Sequence, residues 1–168
     1  MKFVILVAIV LVVILLVNRG AIFKVNGLNM RNQAHPTDAL MTGGQPSLAD
    51  LAVLKTRGIT TVINLRGLGE SLGFDETAAL KDLGIKYVQI PMSSAKDLTK
   101  ENALKLDKAL KNIKGTALVH CASSNRVGAL LALREFQING KSAEDAIAFG
   151  TKSGMTGLAS DVKKLLVK

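Results

Sequence analysis

The chain has no tryptophan, few aromatic residues of any kind and a single cysteine. Aromatic side chains make up 4% of the 168 residues, so leucine, isoleucine, valine, alanine and methionine must fill the core. That composition favours a layered α/β domain over an aromatic-rich β-sandwich. One cysteine excludes an intramolecular disulfide, and His35 and His120 lie far apart in the sequence, so no metal-binding pattern is present. We therefore expect no metal and no cofactor.

Negative charge is also scarce. The chain carries 22 Lys and Arg against 13 Asp and Glu, for a formal net charge of +9. Such an excess favours anionic partners: phosphorylated groups, anionic lipid or nucleic acid. Much of it is dispersed lysine, as in TKENALKLDKALKNIK, which is typical of a solvated helix face. Because no run of arginines with interleaved aromatics occurs, nucleic acid is not expected as a partner.

One long apolar run stands out, FVILVAIVLVVILLV at positions 3–17. As a helix it would reach about 22 Å, short of the roughly 30 Å hydrocarbon core of a bilayer. That length fits the apolar region of a signal peptide or a short membrane anchor, and the residues after it match a cleavage site poorly. We predict an uncleaved single-pass anchor over residues 1–20, which makes the membrane a partner of the chain.

The orientation of this segment has evidence on both sides. Lys2 before the apolar run favours a cytoplasmic N-terminus and an exported domain. Arg19, Lys24 and Arg31 follow the run and favour the opposite orientation under the positive-inside rule. We take the extracytoplasmic placement of the domain as the working prediction.

After a predicted tether over residues 21–39, strand and helix patterns alternate in one domain over residues 40–168. Strands are predicted in ALMTGG, TTVINL, IKYVQIP and TALVH. Helices are predicted after caps at Ser47, Thr99 and Ser142, and near 75–83, 127–138 and 158–167. This alternation implies an α/β fold with a mainly parallel sheet flanked by helices. In such sheets the ligand site lies beyond the carboxyl ends of the strands.

The segment VHCASSNRVGALLAL, residues 119–133, lies at such an end. An apolar strand ends at His120, four small or polar residues make a turn, and a helix begins near Arg126. The amides of the turn and the positive end of the helix dipole would form an anion cradle that favours a thiolate at Cys121. The planar guanidinium of Arg126 suits two oxygens of a phosphoryl group. A lone cysteine at a strand end is usually a small buried hydrophobe, but this context favours a functional loop.

Three segments carry a resemblance to a known family: GGQPSLADLAVLKTRGITTVINLR, DETAALKDLGIKYVQIPM and LVHCASSNRVGALLAL. From about Leu40 onward the chain resembles the dual-specificity-type cysteine phosphatases of the beta-lactamase-hydrolase-like family. The resemblance implies the phosphatase α/β sandwich. It implies Cys121 as nucleophile, Arg126 as the phosphate-binding arginine, His120 as support for the thiolate, and the amides of Ala122, Ser123, Ser124 and Asn125 as the substrate cradle.

The loop departs from the general cysteine phosphatase signature in two ways. Four residues instead of five separate Cys121 from Arg126, which is also the loop length of rhodaneses, enzymes that transfer sulfur. A serine, Ser124, holds a position often occupied by glycine, so a positive φ there would cost about 1 kcal/mol. Its hydroxyl could instead hold the thiolate or orient water.

The candidate general acid is Asp97, on the loop after IKYVQIP, since the related phosphatases carry an aspartate on a loop before the cysteine. An alternative role for Asp97 is that of a carboxylate complementing a helix dipole. Arg66 and Glu70, which follow VINL, are candidates to line the pocket, and so is Gln45, which could equally be a simple turn residue.

Together these features predict a membrane-anchored cysteine-dependent phosphatase that hydrolyses a phosphomonoester through a cysteinyl-phosphate intermediate. Two alternatives use the same loop. One is a rhodanese-like sulfurtransferase, favoured by the loop length, and the other is a phosphate-binding domain without turnover, favoured by the weak signal for the acid.

Overall fold

The computed structural model describes residues 27–70 and 73–167. Its centre is a five-stranded sheet with the strand order β1-β2-β5-β3-β4. The strands are β1 (Ala34–Thr37), β2 (Leu40–Gly43), β3 (Ile59–Arg66), β4 (Lys86–Met92) and β5 (Thr116–His120). β1 runs antiparallel to β2, and the other neighbours are parallel. The predicted α/β fold with a mainly parallel sheet is confirmed.

The helices follow the predicted alternation closely. In the described residues they are α1 (Leu48–Thr56), α2 (Glu76–Asp82), α3 (Lys100–Lys111), α4 (Asn125–Gln137), α5 (Ala143–Lys152) and α6 (Ala159–Leu166), with a 3₁₀ turn at Ala95–Asp97. The capping box predicted at Ser47 is present, since its hydroxyl accepts from the Asp50 amide and the Asp50 carboxylate accepts from the Ser47 amide. Satisfying both amides fixes where α1 begins.

The central strands are buried on both faces, which explains their continuous apolar sequences. Because successive side chains point to opposite faces, Val62 and Leu118 pack with α1 and α2. Their neighbours Ile63 and Val119 pack with the helices α3 to α6 on the other side. The result is a three-layer sandwich in which β3 and β5 form the middle of the core.

Helices α4 and α5 cross at two glycines. A Cβ atom on Gly128 would lie 2.3 Å from the Gly150 carbonyl oxygen, and one on Gly150 would lie 2.6 Å from the Gly128 oxygen. No side chain fits between backbones this close. This crossing fixes α4, whose first turn carries Arg126, against the C-terminal helices.

The prediction of a tether is wrong for residues 34–37, which form β1. The stretch AHPT has no alternating pattern, and the strand exists because it pairs with β2, where Ala34 lies opposite Thr42 and Thr37 opposite Leu40. Pro36 is tolerated because β1 is an edge strand that needs hydrogen bonds on one side only.

The predicted membrane anchor at residues 1–20 lies outside the described residues. Within 27–70 and 73–167, none of the helices combines the length and the apolar character needed to cross a bilayer.

Candidate active site

The Cys121 loop lies at the carboxyl end of β5, between the ends of β2 and β3. His120 is in register with Gly43 on one side and Asn64 on the other. The Cys121 amide donates to the Gly43 carbonyl at 3.3 Å, and the Cys121 residue is 1% exposed. The predicted position of this loop at the carboxyl edge of the sheet therefore agrees with the structure.

Ser124 adopts the left-handed conformation that its position in the loop suggested, with φ of 67°. Its hydroxyl donates to the Ser153 carbonyl at 3.0 Å and is fully buried. The suggestion that this hydroxyl holds the thiolate or orients water is therefore wrong. The bond instead stabilises the strained loop from the turn after α5, at about 1 kcal/mol for a neutral hydrogen bond.

Two asparagine side chains hold the rest of the loop. The Asn125 Oδ1 accepts from the amides of Thr156 at 2.8 Å and Leu158 at 3.2 Å, which lie before α6. The Asn32 side-chain amide donates to the Ser123 carbonyl at 2.8 Å. Ala122 is exposed. The side chain of Asn125 thus positions the loop, while its predicted contribution to the anion cradle is a main-chain amide.

Arg126 is held by a carboxylate and a carbonyl. Its Nη1 donates to Glu70 Oε1 and to the Met92 carbonyl at the end of β4, and its Nη2 donates to Glu70 Oε2 at 2.9 Å. The Glu70 hydrogen bond, followed by the charge and hydrogen bond of Cys121, raises the pKa of Arg126. The guanidinium therefore lies close to the Cys121 sulfur and is also bound by Glu70.

Some N–H donors of the Arg126 guanidinium are not used by Glu70 or Met92. A guanidinium has five N–H donors, and the bonds to Glu70 and Met92 use three of them. The Nε–H and the second Nη2–H lie along one edge of the group. Parallel donors of this kind match two oxygens of a phosphoryl group.

Glu70 binds both arginines of the site. Besides Arg126 it contacts Arg66, whose Nε lies 3.2 Å from Glu70 Oε2, and it accepts from the Gly67 amide at 2.8 Å. The Arg126 hydrogen bond is the largest cause that lowers the pKa of Glu70 to about 2. The sequence suggested Arg66 and Glu70 as pocket residues, and the structure brings both to this edge of the sheet.

Behind the loop lies a buried carboxylate that the sequence did not single out. Glu76 is 2% exposed and accepts from Gln45 Nε2 at 3.0 Å and from Asn64 Nδ2 at 2.9 Å. His120 Nε2 lies 3.2 Å from Glu76 Oε1 at ion-pair distance, although neither imidazole nitrogen has hydrogen-bond geometry with a partner. Buried carboxylates need such donors. In the sequence Glu76 has the position of an ordinary first-turn helix acid, and only the pairing of β3 with β5 brings it to His120.

Asp97 lies near the site but is engaged locally. Its Oδ2 accepts from the amides of Ser93 at 2.7 Å and Ser94 at 2.9 Å, and closes the 3₁₀ turn after β4. These hydrogen bonds, with Ser94 first, and the charge of Arg126 lower the pKa of Asp97. Asp97 thus caps the 3₁₀ turn, and the two roles weighed for it, helix-dipole partner and general acid, both stay predictions.

Two of the cavities formed by the described residues differ in their position relative to the site. One of about 400 Å³ adjoins the site at Gln45 and includes Leu48 and Phe74. The other, about 290 Å³, includes Leu40, Gly115 and Arg134 and lies near the opposite ends of β2 and β5. No group of three or more His, Cys, Asp or Glu that could hold a metal ion occurs in this part of the chain.

Comparison with solved structures identifies the fold as that of protein tyrosine phosphatase-like enzymes. A cysteine-to-serine variant of P. aeruginosa TpbA in complex with phosphotyrosine aligns with a TM-score of 0.62 at 18% identity, over 79% of this chain and 81% of that one. A Shewanella putrefaciens CN-32 protein of the DUF442 type, proposed to be a phosphatase, aligns with a TM-score of 0.65 at 22% identity, over 88% and 93%. Tk-PTP in its active form aligns with a TM-score of 0.62 at 16% identity, over 80% and 95%.

The sequence relatives point in the same direction. The Beta-lactamase hydrolase-like protein of Xylella fastidiosa, from strains Temecula1 and 9a5c, is 32% identical over 114 residues, which is 66% of this chain and 26% of that protein. The chain thus spans about a quarter of the curated relatives it matches. No protein-family model matches it. The resemblance predicted from the sequence is confirmed.

Proposed function

We propose that this chain is a cysteine-dependent phosphatase that hydrolyses a phosphomonoester. The observation that carries the proposal is the position of Arg126, which Glu70 and Met92 hold close to Cys121, with two parallel donors left for the sulfur and a phosphoryl group. A phosphoryl group bound to that edge would lie beside the sulfur. The loop amides and the first turn of α4 would add further donors for its oxygens.

In the proposed reaction the Cys121 thiolate attacks phosphorus in line with the ester oxygen. A sulfur–phosphorus bond forms as the phosphorus–oxygen bond breaks, and the leaving oxygen takes a proton from a general acid. Water then attacks the cysteinyl-phosphate, giving inorganic phosphate and the free thiolate. Arg126 stabilises the charge on the phosphoryl oxygens in both steps.

Asp97 is our candidate for the proton transfers. Its lowered pKa means that it is ionised in the conformation described, which suits the second step, in which a carboxylate takes a proton from the attacking water. To act as acid in the first step, Asp97 must be protonated, and its Oδ1 can carry that proton while Oδ2 still accepts from the Ser93 and Ser94 amides.

The substrate and the location are part of the proposal. Because TpbA, a structure with the same fold, holds phosphotyrosine, we propose an aryl phosphomonoester, carried on a protein or a small molecule, as the first substrate class. The apolar sequence at positions 3–17 supports anchoring at a membrane, with the domain on the extracytoplasmic side.

The test uses the full chain in a mild non-ionic detergent. The wild type should hydrolyse nitrophenyl phosphate and be inhibited by vanadate, which resembles the phosphoryl transition state, while Cys121→Ser should abolish turnover. Sulfur transfer from thiosulfate to cyanide without phosphate release would establish the rhodanese-like alternative. Protection of Cys121 from alkylation by phosphate, without either turnover, would establish a binding domain.

A further inference from the structure

A continuous set of polar contacts joins the residue before the cysteine to the arginine at the end of its loop. We call this set the polar chain; in order it comprises His120, Glu76, Gln45, Arg66, Glu70 and Arg126. Its contacts measure 3.2 Å from His120 Nε2 to Glu76, 3.0 Å from Gln45 Nε2 to Glu76 and 3.1 Å from Arg66 Nη1 to Gln45 Oε1. They continue at 3.2 Å from Arg66 Nε to Glu70 and 2.9 Å from Arg126 Nη2 to Glu70.

Gln45 is the single neutral link between the two halves of the polar chain. Its Nε2 donates to Glu76 and to the Pro46 carbonyl at 3.1 Å, and its Oε1 accepts from Arg66. Both N–H donors and one acceptor site of the amide are therefore used. A carboxylate here would lie against Glu76, and an apolar group would remove one hydrogen-bond partner from Arg66 and one from Glu76. Only a side chain that donates and accepts at once satisfies both neighbours.

The main chain around Gln45 also contacts the Cys121 loop. The Gly43 carbonyl accepts from the Cys121 amide, and a Cβ atom on Gly44 would lie 2.9 Å from the Ala122 carbonyl oxygen. The backbone of the β2–α1 connection thus contacts the Cys121 loop. The side chain of Gln45, in the same connection, contacts Glu76 and Arg66.

From this arrangement we propose that Gln45 is a positioning residue for the reaction, coupling the buried Glu76–His120 pair to the orientation of Arg126 through Arg66 and Glu70. The inference rests on the proposed function, because the oriented group is the phosphate-binding arginine. Gln45 itself need not touch the substrate. Loss of the link removes one of the contacts that orient Arg66, which is one of the two arginines that hold Glu70, and this loosens the fixed direction of the Arg126 donor edge.

The first test replaces Gln45 with leucine, which has similar volume but can neither donate nor accept. We expect Gln45→Leu to lower kcat/KM on nitrophenyl phosphate by about ten- to a hundred-fold, because small misplacements of catalytic groups have effects of this size. The inhibition constant for inorganic phosphate should rise as well. The matched control is Gln137→Leu, at the far end of α4, where the glutamine Oε1 is buried without a hydrogen-bond partner; its kinetics should equal those of the wild type.

A second test exchanges the two groups on either side of the link. Gln45→Glu alone brings two carboxylates together, and Glu76→Gln alone faces the Gln45 amide donors with another amide. The double variant Gln45→Glu/Glu76→Gln restores a donor–acceptor pair at this contact, with the direction of the hydrogen bond reversed. We expect the kcat/KM of the double variant to be at least ten-fold higher than that of the less active single variant. A purely structural role would alter the thermal midpoint without this recovery.

The outcomes separate the two proposals. Failure of the wild type to release phosphate from any aryl phosphate would refute the phosphatase function, and the coupling would then be judged from phosphate protection of Cys121 against alkylation. A wild type that turns over substrate, with Gln45→Leu showing unchanged kcat/KM and phosphate inhibition, would overturn the role of Gln45. If Gln45→Leu does not fold, the exchange variants decide, and no recovery in the double variant would overturn it as well.

Discussion

Glu70 offers the sharpest test of how the site is held together, through the isosteric substitution Glu70→Gln. The carboxylate pairs with Arg126 and Arg66, and its pKa falls from the model-peptide value of 4.5 to about 2. At about 1.4 kcal/mol per pKa unit, a shift of this size corresponds to a stabilisation of the folded state of at most about 3 kcal/mol. Because the side chain is 30% exposed, solvent screening reduces the expected contribution to about 1–2 kcal/mol.

The sign of the pH dependence follows from the lowered pKa of Glu70. A carboxylate whose pKa is depressed by folding stabilises the native state above its unfolded pKa, and this contribution is lost as pH falls towards the folded value. The free energy of unfolding of Glu70→Gln should therefore lie about 1–2 kcal/mol below that of the wild type from pH 7 to pH 5. The difference should shrink below pH 5 and vanish near pH 2.

Urea unfolding in mild detergent, followed by circular dichroism across this pH range, measures the difference. Glu101→Gln is the matched control, since Glu101 makes only an exposed contact with Lys105 and its replacement should change nothing measurable. A constant difference in the free energy of unfolding between wild type and Glu70→Gln down to pH 2 would refute the ion-pair reasoning.

Kinetics supply an independent check. If Glu70 merely blocked Arg126, Glu70→Gln would bind phosphate more tightly, whereas a positioning role predicts weaker binding and slower turnover.

Three further predictions concern the loop and its supports. Asp97→Asn should slow hydrolysis of alkyl phosphates far more than of nitrophenyl phosphate, because only poor leaving groups need the proton; equal small losses on both substrates would assign Asp97 to the 3₁₀ turn alone. Ser124→Ala should lower the free energy of unfolding by about 1–2 kcal/mol, since the Ser153 carbonyl loses its donor while the positive φ remains; an unchanged urea midpoint would contradict this. Gly128→Ala should lower the thermal midpoint strongly, because its methyl group would lie 2.3 Å from the Gly150 oxygen; wild-type stability would show that the two helices can separate at little cost.

The strands and helices of the domain were predictable because local signals agree with the final packing. Ser47 and Asp50 form a capping box that can be predicted from four consecutive residues. The apolar patterns TALVH and TTVINL indicate strands that are buried on both faces of the sheet. The position of Cys121 followed from topology, since parallel strands bring their carboxyl ends to one edge. These features depend on short-range sequence or on a general rule of the fold.

The features that were missed depend on long-range contacts. β1 has no strand pattern of its own and forms through pairing with β2. Glu76 has the sequence of an ordinary helix-start acid, and its contact with His120 spans distant parts of the chain. The Ser124 hydroxyl was expected to serve the site, but its partner is the Ser153 carbonyl, 29 residues further along. Pairings of this kind leave no signal in one sequence.

The anchoring of the cysteine loop by the turns around α5 and α6 has a consequence for any shortened version of this protein. A fragment ending after α4 would keep every side chain proposed to touch phosphate, yet it would lack the Ser153 carbonyl and the Thr156 and Leu158 amides that Ser124 and Asn125 bind. It would also expose the apolar side of α4 to water. The last thirty or so residues, which carry no proposed chemistry, therefore help to hold the loop that carries Cys121 in place.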